Sequence, residues 1–381
     1  MSPEEYRQAL LAWRDNALER VGDAAIGLDE QRENGRSLLG SGLAGPSWSV
    51  EYGGAGGGQE HERIFEEVLG DHSVLLPPRL VTLGICAPTV LEFGSDEQRR
   101  RYLPGMLGGS EIWAQLLSEP GAGSDLASVS TRARRVPGGW SLSGQKVWTS
   151  RADVAQYAVA LVRTGDPSSS SERRRTLTMM IVDMSAAGID VRPLREMTGE
   201  ALFNEVFLDD VQVADDQVLG AVDDGWRVLL GMLRHERDAV GATGSTNTMY
   251  AARGPQLAAA LAPLDEVARA EYRHELVGLV ARERAHLAMA EAIAAARRDL
   301  ADQRPFGSLT KISMSMLSGF AAELSARVEG SRLRMQRAGS ALDGAAYALL
   351  KTPMSSIAGG TSEVQKNTIA KQLLHLKGAR R

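Results

Sequence analysis

Over the first twenty residues the apolar positions Tyr6, Leu10, Ala12, Trp13 and Leu18 recur at roughly helical spacing, which predicts a helix from Pro3 to about Arg20. A glycine-crowded run, Pro46 to Gly58, reads as loop. Helical spacing returns over 60–69 and 83–93. Ser95 or Asp96 then stands where it caps a further helix, carrying Gln98 and Tyr102 and ending ahead of Pro104. Beyond residue 110 the period changes. The segments WAQLLS, TRARR, WSLSGQKVWTS, QYAVALVRT, RTLTMMIVDM and NEVFLDDVQV are short and β-rich, several of them alternating polar with apolar. They predict strands parted by turns at Gly138-Gly139, Gly188 and Thr198-Gly199. From Gly225 onward the pattern is helical again, with candidates over 225–250, 255–298, 308–329 and 361–376; Pro263 and Asp265 are placed to break the second. Strands between two helical regions predict an α+β architecture, a β-domain set into an α-protein whose last helices pack as a bundle.

Length and charge narrow this picture. A chain of 381 residues exceeds one ordinary core and predicts two or three packed units. The net charge of -5 supplies no basic stripe for phosphates, which excludes a nucleic-acid partner. The single cysteine, Cys86, lies in an apolar setting and reads as core, so a reducing compartment is expected. The N-terminus is charged and amphipathic with no apolar h-region, and no apolar run approaches the roughly 18 residues of a membrane span. The expectation is a cytoplasmic protein. The stretch Asp166 to Arg175 (DPSSSSERRR) reads as a surface loop with a solvated charged face.

Candidate chemistry concentrates between Trp113 and Ser150. Two β-type segments flank Gly121-Ala122-Gly123-Ser124-Asp125, set off by Pro120. Glycines allow close backbone approach to a ligand, Ser118, Ser124, Thr149 and Ser150 supply short polar groups, and Trp148 offers a flat face to a ring. No second His or Cys stands at metal spacing from His235, so no metal site is expected.

The whole run WAQLLSEPGAGSD…GGWSLSGQKVWTS resembles the signature of the acyl-CoA dehydrogenase flavoproteins. Three more segments carry the resemblance in order: Pro46 to Gly56, Gly225 to Gly241, and Ile357 to Leu376 (IAGGTSEVQKNTIAKQLLHL). It covers essentially the whole chain. It implies an N-terminal α-helical domain (1–110), a central β-barrel or sandwich domain (111–218) and a C-terminal four-helix bundle (219–381). It also implies a noncovalent FAD whose ring lies between the β-domain and the bundle. By match to the motif, Leu117, Ser118, Ser124, Trp148 and Ser150 line the flavin, Thr361 and Glu363 stand near its ribityl or pyrophosphate portion, and Ser124 also meets the thioester substrate.

The reaction the resemblance implies is α,β-dehydrogenation of an acyl thioester, on CoA or on a carrier protein, with the α-proton taken by a carboxylate and the β-hydride passing to flavin N5. Many members carry that carboxylate just before Gly-Thr, where this chain has Gly359. A second group carries it in a Leu-x-x-Glu-Arg pattern on an earlier helix. Leu233-Arg234-His235-Glu236-Arg237 matches, which makes Glu236 the expected base and Arg237 a substrate-orienting or structural neighbour; Gly359 then borders the substrate.

The chain departs from the family near its FAD-tail elements. Where an Arg usually stands three residues before Phe-Gly, Phe306-Gly307 has Gln303, with Arg304 one residue off register; Ser308-Leu309-Thr310-Lys311 resembles a Ser-x-x-Lys element of some bacterial members. A Gly-Gly-x-Gly loop is replaced by GSALDGAAYALLK over 339–351. The resemblance implies a homotetramer or an α2β2 heterotetramer, an electron-transferring flavoprotein as acceptor, and a place in fatty-acid or lipid metabolism. Two other readings fit the same fold: a non-catalytic partner subunit of a heteromeric dehydrogenase, and a flavin oxidase or oxygenase.

Overall fold

The computed structural model describes the chain except for residues 22–25, 168, 170–171, 243–256, 259–260, 263–265, 297–305, 331–343 and 377–381. The break expected at Pro263 and Asp265, the Gln303-Arg304 pair and the start of the 339–351 segment lie outside the described residues. Two compact units result: residues 1–194 with 201–236, and residues 195–200 with 237–381.

The first unit begins with helices. α1 (Pro3–Val21) buries Tyr6, Leu10, Trp13 and Ala17, and the Tyr6 hydroxyl donates to the Leu43 carbonyl at 2.6 Å. α2 (Leu28–Gly40) is too polar to announce itself in the apolar pattern. α3 (Gln59–Leu69) follows the expected loop, which contains one 3-10 turn, Val50–Tyr52. A π-turn, Thr82–Cys86, runs into α4 (Ala87–Phe93). In α5 (Asp96–Leu107) Ser95 is the N-cap, in a capping box with Gln98, worth about 1 kcal/mol. This helix continues through Pro104 instead of stopping before it. Gln98 reaches out of it to the carbonyls of Asp216 and Val218, at 2.7 and 3.0 Å.

Eight strands form one mixed sheet: β1 (Trp113–Leu116), β2 (Arg132–Val136), β3 (Gly139–Ser150), β4 (Tyr157–Arg163), β5 (Leu177–Asp183), β6 (Ile189–Leu194), β7 (Phe203–Ala214) and β8 (Val218–Leu219). The order is β6-β7-β3-β2-β4-β5-β8, with β1 parallel to β4. β4 and β5 are almost wholly buried, which is why they read as near-continuous apolar runs. Trp113, fully buried, packs its ring 5.0 Å from Tyr102 and 5.4 Å from Tyr157, fixing the start of β1. α6 (Gly225–Ala242) closes the unit, and Gly231 lets the Phe93 ring of α4 approach its backbone.

The second unit is helical. α7 (Glu266–Ala296) and α8 (Phe306–Glu329) pack through Leu279, Ala321 and Leu324, while His286 meets Ser313 at 3.1 Å. α9 (Gly344–Ile357) crosses α8, and the Ser315 hydroxyl donates to the Ser355 carbonyl at 2.6 Å. α10 (Ser362–Thr368) ends in a π-turn, Ile369–Leu373. The turn 195–200 groups with these helices: Lys351, buried, donates to Glu196 at 2.9 Å and Glu200 at 3.3 Å, and Tyr347 donates to Glu200 at 2.8 Å. Among the described residues no helix is long and apolar enough to cross a membrane.

Candidate functional site

Of the ten residues singled out in the sequence, Leu117, Ser118, Ser124, Trp148, Ser150 and Glu236 belong to the first unit, and Arg237, Gly359, Thr361 and Glu363 to the second.

The first group is built where β1 ends. Leu117 is buried and Ser118 half-buried; the Ser118 carbonyl accepts from Val147 N–H at 2.9 Å, which puts it beside the residue preceding Trp148. Glu119 and Ala122 then exchange backbone bonds at 2.9 and 3.0 Å, and this tight turn projects Gly121, Gly123, Ser124 and Asp125 into solvent. A Cβ at Gly121 or Gly123 would meet nothing within 4 Å, so this edge is open to approach.

Opposite it, β3 loses register with β7 between Lys146 and Thr149. The bulge holds Trp148 at φ 62°, a left-handed conformation that costs a bulky residue about 1–3 kcal/mol. It also leaves the indole 57% exposed, edge-to-face with the Phe203 ring at 5.9 Å between centroids. Ser150, half-buried, pairs with Phe203 in the sheet. Among the described residues, the buried Thr149 hydroxyl and Gln115 amide nitrogen have no hydrogen-bond partner. A large aromatic displayed on strained backbone next to an open glycine turn fits a planar ring system.

Sequence reasoning passed over what supports this group. Lys146 and Glu119 form an ion pair at 2.9 Å, with side chains 0% and 5% exposed. Burial drives Lys146 down to about 8 against the pull of Glu119. For Glu119 burial works upward, but the Lys146 charge and the hydrogen bonds around it prevail and hold the carboxyl at about 2. The available signal was a lysine on a β-type segment, two residues before Trp148.

Glu236 is half-buried on α6, whose docking is set by its neighbours. Arg234 and His235 both engage Glu92 of α4, at 2.6 and 2.8 Å. Burial raises Glu92, and these two hydrogen bonds outweigh it and bring the carboxyl below its ordinary range. Cys86, fully buried as expected, has its thiol pushed up by burial and then by the charge of Glu236, which marks that carboxylate as a near neighbour. The backbone of Arg237 lies against Gly307, where a Cβ would come within 2.9 Å of the Arg237 carbonyl.

In the second unit Gly359 and Gly360 take φ 67° and 85°. Thr361 caps α10 through Val364 N–H at 3.3 Å. Glu363 is exposed, its carboxyl lowered by its own backbone N–H and then by the Thr361 hydroxyl. Gln365 is a further residue the sequence reading left unassigned: it is buried and its side chain donates to the Gly359 carbonyl at 2.6 Å. Ser308 and Lys311, the Ser-x-x-Lys pair, are both buried in α8. Among the described residues no group of three or more His, Cys, Asp or Glu side chains is arranged to hold a metal ion.

Comparison with known proteins gives matches along the chain. The N-terminal, middle and C-terminal domain models of acyl-CoA dehydrogenase match residues 3–110, 114–211 and 223–374. Acyl-CoA dehydrogenase IpdE1 of Mycobacterium tuberculosis is 32% identical over 98% of this chain and 97% of its own length. Acyl-CoA dehydrogenase FadE34 of the same organism is 46% identical over 59% of this chain, a match spanning only 30% of that protein. Among solved structures, the Tcur3481-Tcur3483 steroid ACAD superimposes with a TM-score of 0.77 at 26% identity, covering 99% of this chain and 98% of that one.

Proposed function

The chain belongs to the acyl-CoA dehydrogenase family, and we propose that it dehydrogenates an acyl thioester at the α,β bond with Glu236 as the base. The observation that carries the assignment is the pairing around that residue. Glu92 engages both Arg234 and His235, which docks the stretch of α6 that carries Glu236 against α4. Gly359, at the other family position for the base, has no side chain to offer. A half-buried carboxylate on this helix is of the chemical type that the proton abstraction needs.

Leu117, Ser118, Ser124, Trp148 and Ser150 would hold the flavin ring, with Thr361 and Glu363 toward the rest of FAD; the bound cofactor supplies a hydride acceptor. Trp148 presents a flat apolar face, and the open glycine turn admits the ligand without steric cost. The chain's residues orient the thioester, take its α-proton at the Glu236 carboxylate and keep water from the reacting carbons. A steroid-type acyl group is the favoured substrate class, on the strength of the steroid ACAD neighbour, and an electron-transferring flavoprotein is the favoured acceptor.

That neighbour carries two chain names, which also favours a second reading: a heteromeric assembly in which this chain is one of two kinds, with or without its own turnover. One sequence of measurements tests both. The visible spectrum of the purified chain reports whether it holds flavin alone, and anaerobic bleaching by a panel of straight-chain, branched and steroid acyl-CoAs reports the substrate. Bleaching lost in Glu236→Gln supports the base. A chain that becomes yellow only with a co-expressed homologue, and whose assembly turns over unchanged in Glu236→Gln, would replace this reading with the partner-subunit one.

A further inference from the structure

Beneath the glycine turn lie three charged side chains sealed from solvent: Lys146 at 0% exposure, Glu119 at 6% and Arg163 at 7%. Their hydrogen bonds run largely to one segment. Lys146 Nζ donates to the Leu117 carbonyl at 3.1 Å, to Glu119 Oε1 at 2.9 Å and, across to β4, to the Leu161 carbonyl at 2.7 Å. Glu119 in turn accepts from Ser130 N–H at 2.6 Å, the Ser130 hydroxyl at 2.8 Å and Thr131 N–H at 2.9 Å. Arg163 donates to the carbonyls of Ala127 at 2.7 Å and Val129 at 2.9 Å, and also to the Arg173 carbonyl and the Thr176 hydroxyl.

The contacts with residues 117–119 and 127–131 fall on the two ends of the loop whose middle is Gly121–Asp125. Lys146 is also covalently two residues from Trp148, and Val147 bonds Ser118. If this position served stability alone, apolar side chains of the same volume would serve as well or better, because taking charges out of water is costly. Apolar packing does not supply directional bonds to backbone groups at both feet of a loop.

We propose that Glu119 and Lys146 are a positioning pair, supported by Arg163, that fixes the 119–131 loop and the Trp148 bulge in the geometry that receives the flavin. The inference rests on the cofactor reading above. Its physical content is preorganisation: a loop already ordered in the free protein loses less freedom when the ligand arrives.

The test uses the full chain, in the assembly in which it is purified, stripped of flavin and titrated with FAD. Flavin fluorescence gives the dissociation constant and far-UV melting gives the stability of the flavin-free form, for Glu119→Gln, Lys146→Met, the double variant and Ser130→Ala. Each single variant leaves one buried charge alone, so both melt lower and bind FAD about tenfold more weakly or worse. The double variant buries no lone charge: it melts above both single variants while FAD binding stays about tenfold weak. Ser130→Ala keeps the ion pair and removes one hydrogen bond, so it melts like wild type and binds FAD about two- to threefold more weakly. The double variant and Ser130→Ala decide the matter even if the single variants do not fold. A double variant that regains FAD affinity along with its melting temperature overturns the proposal and leaves a purely structural ion pair. Wild-type protein that takes up no FAD overturns the cofactor reading, and this inference with it.

Discussion

The side-chain amide of Gln365 donates to the Gly359 carbonyl at 2.6 Å, across a turn in which Gly359 and Gly360 both hold positive φ. The amide is buried, and a Cβ on Gly360 would sit 2.7 Å from its nitrogen, so glutamine and glycine fit only as a set. Gln365→Ala removes the partner of the part-buried Gly359 carbonyl and should cost about 1 kcal/mol, read as a lower melting temperature with the far-UV spectrum of the folded protein unchanged.

The same turn decides whether the base could stand at position 359. A glutamate there would be forced to φ 67°, at a cost of about 1–2 kcal/mol. Gly359→Glu should therefore melt lower, and when added to Glu236→Gln it should not restore bleaching of the flavin by acyl-CoA. Recovery of bleaching in the double variant would refute this.

Removing the base itself has a separate signature. Glu236→Gln keeps the shape of α6, so flavin content and melting temperature should hold. The rate of flavin reduction by thioester should fall by about 10²–10⁴, the usual range for a general base. Stopped-flow absorbance of the first turnover measures it, and a fall below tenfold would remove Glu236 from the role.

Trp148 is testable through its backbone. At φ 62° glycine is unstrained, whereas alanine keeps the strain and loses the ring. Trp148→Gly should be more stable than Trp148→Ala by about 1 kcal/mol, while both bind FAD weakly. Chemical denaturation of the flavin-free forms compares them.

Glu119 makes the fold acid-sensitive. Its folded-state value, about 2, lies below its ordinary value of 4.5, so the protein state that binds fewer protons is the native one. The contribution of the Glu119 carboxylate through this shift is therefore complete above about pH 4.5 and is lost as pH falls toward 2. Denaturation midpoints between pH 6 and 2 should slope downward in wild type and flatten in Glu119→Gln/Lys146→Met.

The β-domain was largely legible because its strands alternate or form short buried runs, and its turns carry Gly138, Gly188 and Gly199 at positive φ. The charged residues beneath its glycine turn were not, since burial is a tertiary fact: Glu119 reads as a loop acid and Lys146 as a strand-surface base until the sheet closes over them. α9 was hidden by its composition, an alanine-rich stretch containing Pro353, and α2 by its scarcity of apolar residues. Pro104 misled in the other direction. Proline removes one helical hydrogen bond, yet the burial of Met106 and Leu107 carries α5 beyond it. At the candidate site, the motifs supplied the candidate residues, while the Gln365 tether and the Glu92 pairs emerged only from geometry.

Because Glu119 grips Ser130 and Thr131, the intervening stretch is a hoop fastened at its base. The ends of such a hoop stay put whatever lies between them, and lengthening it is cheap: each doubling of a flexible loop costs only about 0.6 kcal/mol. Residues 120–129 are thus a natural site for grafting. Insertions at Gly123, whose outward side meets nothing, would lengthen the hoop without disturbing the sheet that carries it.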